Sequence, residues 1–218
     1  MSFPLSLSRI FYPVTTLGPG RRIGIWFQGC SIRCPGCISA DTWSQKESDV
    51  TVEEVLSSLD PLLADADGVT ISGGEPFEQF AALGMLLIGI RQKLSPGKDI
   101  LVYSGYTINE LGGRMQEIQG LIDALISGPY VADALQTRPL MGSDNQELHL
   151  LTTLGRTNFK QFLRDRLAAD DKFDLLMDDD GTAWMAGIPK PGDFEKLRSA
   201  LAERGVTFQT TEDRHSRS

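Results

Sequence analysis

The sequence predicts an α/β protein built on a partial or complete parallel βα barrel, and three observations carry that expectation. Short runs rich in β-branched and aromatic residues alternate along the first two thirds of the chain with longer stretches of helical period. Parallel strands need crossover connections, which helices of that kind supply. With 218 residues the chain has room for one substantial core and a small appendage, but not for two full domains.

Taken in order, "RIGIWF" at 22–27 reads as a strand that runs directly into a cysteine-bearing loop. "TVEEVLSSLDPLL" at 51–63 opens with Thr51 three positions ahead of Glu54, a capping box, and Val52, Val55, Leu56 and Leu59 recur at helical spacing. "GVTISGG" at 68–74 reads as a buried strand followed by a mostly apolar helix over residues 77–94. "DILVYS" at 99–104 is a further strand, and "LIDALIS" at 121–127 is another after a weaker helical stretch. Beyond Leu151 the character changes. A helix is expected over 158–167, and two strands in "KFDLLMDDDGTAWMAGI" joined by a turn at Asp180 and Gly181. The stretch "GDFEKLRSALAERG" reads as a helix with Asp193 as N-cap and Gly205 just past its end, and "TEDRHSRS" as a frayed tail. The organisation expected is a core over 1–151 and an α+β extension over 152–218. No fixed-period repeat or low-complexity tract interrupts it.

Composition narrows the function. Hydrophobic residues make up 41% and charged residues 23%, as in ordinary folded domains, and no apolar run approaches the roughly 20 residues that span a bilayer. The opening "MSFPLSLSRIFYPV" lacks the basic start, long apolar centre and small-residue cleavage site of a secretion signal, so a cytoplasmic protein without membrane contact is expected. A formal net charge of -8 argues against a general nucleic-acid binder.

All three cysteines fall in "CSIRCPGC", Cys30 to Cys37. An odd number of closely spaced thiols makes a poor disulfide framework and a good metal site in a reducing compartment. Structural zinc takes four Cys or His ligands, usually in two pairs, and only His149 and His215 are available to complete such a set. A four-iron cube uses the arrangement better: three thiolates from one loop bind three irons and leave the fourth open. Pro35 and Gly36 suit the turn between the thiols. Ferredoxin patterns instead supply four cysteines and a closed, electron-carrying centre.

"SGGEP" at 72–76 lies where a strand gives way to a helix. Gly73 and Gly74 permit close backbone approach, Glu75 is an anion that can accept hydrogen bonds from an ammonium group, and Pro76 suits a first helical position. A tight βα turn, taken alone, explains these residues better than a ligand does.

Cys-x3-Cys-x2-Cys at the end of a first strand, followed one βα unit later by Gly-Gly-Glu, resembles the radical S-adenosylmethionine enzymes. That resemblance implies a radical SAM barrel and a [4Fe-4S] cluster on Cys30, Cys34 and Cys37, with S-adenosyl-L-methionine on the open iron. Reductive cleavage of that cofactor then gives a 5′-deoxyadenosyl radical, which abstracts a hydrogen atom. It also implies cofactor contacts from Gly73, Gly74 and Glu75, from Gly36, Cys37 and Ile38 around the third thiol, and from Ser104 and Ser127 at strand ends. Several further motifs occur in order: "GPGRR" at 18–22, "FQGC" at 27–30, "TW" at 42–43, "PGKDI" at 96–100, "YSGYTINEL" at 103–111 and "GSDNQELHLL" at 142–151. Together they resemble the activating proteins of anaerobic ribonucleotide reductase, within the glycyl-radical activase family. The implied substrate is a glycine on a large partner enzyme. The implied electron source is an external donor such as flavodoxin, because the chain holds no second cluster motif. Three features depart from the pattern: Gly36 where the wider superfamily often has an aromatic residue, Ser127 where an aspartate is expected near the cofactor, and the longer ending after Leu151.

Other residues read more plainly. Trp26, Phe27 and Trp43 are expected to pack around the cluster loop, where an apolar shell would also keep water and oxidants away, Tyr106 either to lie by the adenosine or to pack at a strand end, and His149 to be a structural histidine. Arg21 and Arg22 meet either a carboxylate, a partner's surface or solvent. Asp178 to Asp180 reads as a hairpin turn, since a calcium loop would need oxygen ligands at alternating positions and a closing glutamate. No Ser/His/Asp or Cys/His constellation can be assembled. Two rivals stand beside the activase: a radical enzyme that acts on a small molecule or peptide, and a metal-bearing interaction protein without turnover.

Overall fold

The computed structural model describes residues 3–46, 50–177, 183–190 and 192–205. In chain order its elements are β1 (Pro4–Leu5), β2 (Leu7–Val14), β3 (Arg22–Phe27), β4 (Val50–Thr51), α1 (Val52–Leu63), β5 (Gly68–Gly73), α2 (Phe80–Lys93), β6 (Asp99–Ser104), α3 (Ile108–Leu111), α4 (Gly113–Glu117), β7 (Ala124–Ser127), β8 (Glu147–Leu150), α5 (Thr153–Phe159), β9 (Phe173–Met177), β10 (Ala183–Gly187) and α6 (Asp193–Ala202).

Six strands form the central sheet in the order β2-β3-β5-β6-β7-β8. The four inner strands run parallel, and β2 and β8 close the two ends antiparallel. Among the described residues β2 and β8 do not pair with each other, so the sheet is open. Of the partial or complete barrel expected, the complete form is therefore not the one observed, and the sequence hid both edge strands for physical reasons. Pro13 within β2 removes a ladder donor, which only an edge strand tolerates, and none of the "ELHL" positions of β8 is fully buried, so neither run reads as a core strand. β9 and β10 pair antiparallel as expected, while their proposed turn at Asp180 and Gly181, like the tail with His215, lies outside the described residues.

Strand side chains alternate between two faces. Ile23, Ile25, Phe27, Val69, Ile71, Ile100, Val102 and Leu125 point to one face, where Val55 and Leu59 of α1 and Leu83, Leu87 and Ile90 of α2 cover them. Each such aliphatic side chain stabilises the fold by about 1.5–3 kcal/mol relative to exposure. α1 starts where the capping box placed it: Thr51 Oγ1 accepts from Glu54 N–H and the Glu54 carboxylate accepts from Thr51 N–H. On the other face, Phe159 of α5 covers Leu101, Ala124 and Ile126, and Ala186 of β10 covers Val14 and Trp26.

Several boundaries differ from expectation. The helix over 77–94 is split into a 3-10 turn at Pro76–Gln79 and α2. The strand within 121–127 is Ala124–Ser127 alone, because Asp123 bends its carboxylate back to accept from Ile100 N–H at 2.9 Å. The helix over 158–167 is instead α5 with a 3-10 turn at Lys160–Phe162, since Thr152 caps the earlier start by accepting from Gly155 N–H at 3.0 Å. α6 is capped by Gly192 at φ +86°, and Asp193 is its first residue, accepting from Lys190 N–H at 2.8 Å. No helix among the described residues is long and apolar enough to cross a membrane.

Beneath the sheet Arg22 is fully buried. It donates to Asp99 Oδ1 at 2.6 Å, Thr70 Oγ1 at 2.6 Å and the Val69 carbonyl at 2.7 Å, while Asn158 donates to Asp99 Oδ2 at 2.7 Å. Of the readings open for this arginine, the carboxylate is the one realised.

Candidate cluster and cofactor site

The cysteine loop leaves the end of β3 and is stitched on both sides. Gly29 N–H donates to the Thr42 carbonyl at 2.7 Å and Cys30 N–H to that of Trp43 at 3.2 Å, while Gln28 Nε2 donates to the Ser44 carbonyl at 2.7 Å. Gly36 turns the loop with φ +75°, between Cys34 and Cys37, whose own backbones are joined by a 3.1 Å hydrogen bond. All three thiols are free and partly exposed. Burial raises the pKa of Cys30 and pushes that of Cys37 up to about 11, against hydrogen bonds from the Ser39 backbone and the Trp43 side chain that lower it. Trp43, expected only to pack, therefore touches the third thiol.

The Gly-Gly-Glu strap lies directly on this loop. Gly74 N–H donates to the Phe27 carbonyl and Glu75 N–H to the Gly29 carbonyl, both at 2.8 Å. A Cβ on Gly74 would sit 2.1 Å from the Gly29 carbonyl oxygen, and one on Gly73, whose φ is +103°, 2.5 Å from Phe27 N. Both glycines are thus required by backbone meeting backbone, which the tight-turn reading anticipated.

Glu75 is 1% exposed. Its Oε1 accepts from Phe77 N–H at 2.9 Å and from the Ser104 hydroxyl at 2.9 Å, and its Oε2 accepts from Gly105 N–H at 2.7 Å. Burial outweighs these donors and pushes the carboxyl up to about 7. One carboxylate thereby ties the ends of β5 and β6 together.

Cys30, Cys34 and Cys37 open onto one cavity of about 610 Å³ together with Gly73, Gly74 and Glu75. Gly36, Ile38 and Ser104 complete this part of its wall. Ser127 does not line it: the side chain is buried and its Oγ lies 2.8 Å from His149 Nε2, while the neighbouring Gly128 reaches the wall.

Among the described residues no three His, Cys, Asp or Glu side chains converge as they would on a single metal ion. A four-iron cube needs no such convergence, because each thiolate binds a different iron. Three thiolates carried on one loop fit such a cluster.

Sequence reasoning missed Glu78. Its carboxylate accepts from the Ser31 amide at 3.0 and 3.2 Å, from the Ser31 hydroxyl and from the Tyr106 hydroxyl at 3.1 Å, so it ties the cysteine loop to the end of β6. A glutamate three positions after Glu75 was the only available signal, and a surface helix would carry one there as readily. The residues from Met185 to Arg198 line the same cavity; the sequence marked only the long ending that carries them and singled out none of them as site residues.

Residues 16–149 match the family model described as a 4Fe-4S single cluster domain. The chain is 31% identical over 148 residues to the anaerobic ribonucleoside-triphosphate reductase-activating protein of Escherichia coli, a match that covers 65% of this chain and 96% of that protein. The protein of the same description from Vibrio cholerae is 30% identical over 151 residues, covering 65% and 96%. The pyruvate formate-lyase-activating enzyme of Staphylococcus aureus is 38% identical over 84 residues, covering 36% of this chain and 34% of that one. The solved structure of QueE from Escherichia coli overlaps 49% of this chain and 54% of its own at 22% identity and a TM-score of 0.37, too little to carry an argument.

Proposed function

We propose, for a chain that belongs to the family of anaerobic ribonucleoside-triphosphate reductase-activating proteins and has their 4Fe-4S single cluster domain, a radical S-adenosylmethionine activase that generates a glycyl radical on a partner enzyme. The observation that carries this reading is the convergence of all three thiols and the Gly-Gly-Glu strap on one cavity.

When bound, the [4Fe-4S] cluster and S-adenosylmethionine supply reductive cleavage of the cofactor to a 5′-deoxyadenosyl radical, which takes a hydrogen atom from the substrate glycine. Cys30, Cys34 and Cys37 would hold the cluster, and supplying three thiolates leaves one iron for the cofactor. Glu75 has acceptor capacity left on Oε2 for the methionine ammonium, with Gly73 and Gly74 beside it. Gly36, Ile38 and Ser104 stand on the same wall, whereas Ser127, paired with His149, does not reach it. Glu78 and Ser31 fix the loop on which the thiols are carried.

The open sheet is read as a partial barrel of radical SAM type, with residues 1–151 as its core and 152–218 as an extension. The electron comes from an external donor such as flavodoxin, and the setting is cytoplasmic. A second reading, a radical enzyme whose substrate is a small molecule or peptide, draws on the residues past Met185 that share the cavity.

Anaerobic reconstitution with iron and sulfide, reduction, and assay for 5′-deoxyadenosine test the chemistry, and a glycine-centred signal in electron paramagnetic resonance on the partner tests the activase. Cofactor cleavage without that signal, accompanied by consumption of a small metabolite, selects the second reading. A protein that binds metal but makes no 5′-deoxyadenosine fits neither.

A further inference from the structure

The cavity has a wall that the cluster domain does not supply. The family model ends at residue 149, and the match to the Escherichia coli relative uses 96% of that protein but 65% of this chain, so the hairpin β9–β10 and α6 fall past the end of the model. Yet close to a third of the residues lining the cavity come from this part, among them Met185, Ile188, Pro189, Phe194 and Arg198.

The hairpin is fixed in place at three points. The carboxylate of Asp174 accepts from Thr15 N–H at 2.7 Å, Thr15 Oγ1 at 2.7 Å, Thr16 N–H at 3.2 Å and Thr16 Oγ1 at 2.9 Å, just past the end of β2. The Arg9 guanidinium lies between two rings, 5.4 Å from the centroid of Trp26 in β3 and 4.4 Å from that of Trp184 in β10. After β10, the Ile188 carbonyl accepts from Arg166 at 2.6 Å and the Pro189 carbonyl from Gln136 at 3.2 Å. These attachments set β10 over the face of β3 that carries Trp26, on the cavity shared with the cysteine loop.

We propose that β10 and the first turns of α6 form a second, built-in wall of the S-adenosylmethionine site, latched by Asp174, so that this chain encloses its cofactor without a partner. The inference rests on the cofactor reading above. A cavity of about 610 Å³ is of the size that buries most of a drug-sized ligand, but only when it is walled on several sides. The cysteine loop and the strap hold one end of such a ligand. Met185, Ile188, Pro189 and Phe194 offer apolar cover to the remainder, and Lys190 is held by Asp171.

The test uses the full chain with its cluster loaded and S-adenosylmethionine as the probe. On adding it, amide hydrogen exchange across 183–190 and 192–198 is expected to slow at least tenfold, alongside the cysteine loop and the strap. Asp174→Ala is expected to weaken S-adenosylmethionine binding about tenfold or more at unchanged iron per chain, and Asp174→Asn, which keeps one acceptor oxygen, by less. Slowing confined to the cysteine loop and strap, or full-strength binding by Asp174→Ala, overturns the second wall and leaves the cofactor reading standing. Absence of any binding to the cluster-loaded chain overturns both. Should Asp174→Ala lose iron or fail to fold, the exchange measurement on the unaltered chain decides by itself.

Discussion

At the scale of single residues, Glu75 and Gly74 show how one short stretch serves both fold and chemistry. The Glu75 carboxyl is pushed up to about 7 by burial, well above its ordinary value, so in the bare chain it gains its charge only as pH rises through about 7. The sign follows. The stability this group contributes to the bare fold is fully present below the ordinary glutamate range and is lost as pH rises through about 7. An ammonium group seated on Oε2 favours the charged form, so cofactor binding is expected to carry a component that grows as Glu75 ionises through about pH 7, and Glu75→Gln is expected to weaken binding and to leave only the pH dependence of the cofactor's own amino group. Isothermal titration of the cluster-loaded chain on either side of that pH checks both, and an unaltered pH profile in Glu75→Gln would remove the carboxylate from the site. For Gly74→Ala the expectation is structural. Its Cβ would press into the Gly29 carbonyl at 2.1 Å, between two backbones that cannot yield, so the strap must move off the cysteine loop. Iron per chain after reconstitution is expected to fall several-fold. The three thiols and this strap were legible because their chemistry is written in residue type and short spacing. Glu78 was not, because its role depends on where the end of β6 brings Tyr106, and no local pattern encodes that distance.

At the scale of elements, the sequence was readable wherever a stretch carried its own signal, and α1 is the clearest case. Thr51 and Glu54 announced the start and the apolar period announced the buried face, and both are as observed. Leu59 lies at 0% exposure in the centre of that face, so Leu59→Ala is expected to cost about 2–5 kcal/mol and Thr51→Ala about 0.5–2 kcal/mol, read from denaturant unfolding of the bare chain. Equal losses would mean that the helix is held by its cap as much as by the sheet beneath it. Elements defined by their neighbours were harder. β2 and β8 are strands because the ends of a four-stranded parallel layer leave unpaired backbone to be satisfied, and their own residues carry neither strict alternation nor a continuous apolar run. α5 was placed too late for a similar reason: its start is set by Thr152, and Phe159 is then drawn beneath the sheet against Leu101 and Ile126.

At the scale of the whole molecule, the Arg22–Asp99 pair joins parts of the chain that no local signal connects. Arg22 opens β3, Asp99 opens β6, Thr70 lies in β5 between them, and Asn158 reaches in from α5. Both charged side chains are essentially without solvent contact, at 0% and 1% exposure, so neither can be hydrated when the other is removed. Truncating Asp99 to alanine leaves a fully buried guanidinium with only neutral acceptors, a change that typically costs about 3–5 kcal/mol because the uncompensated charge stays in the interior. The pair Lys93–Asp60 supplies the control: its side chains are 37% and 52% exposed, and Lys93→Ala returns the carboxylate to water. Thermal unfolding of the two variants should therefore separate sharply, with Asp99→Ala losing many degrees and Lys93→Ala little. The cysteine loop begins where β3 ends, so the same Asp99→Ala protein, compared below its lowered melting temperature, tests whether strain at the start of β3 reaches the thiols at its end. Unchanged iron uptake there would mean that the two ends of β3 are energetically separate. Reduced uptake would mean that the buried pair positions the strand that carries Cys30.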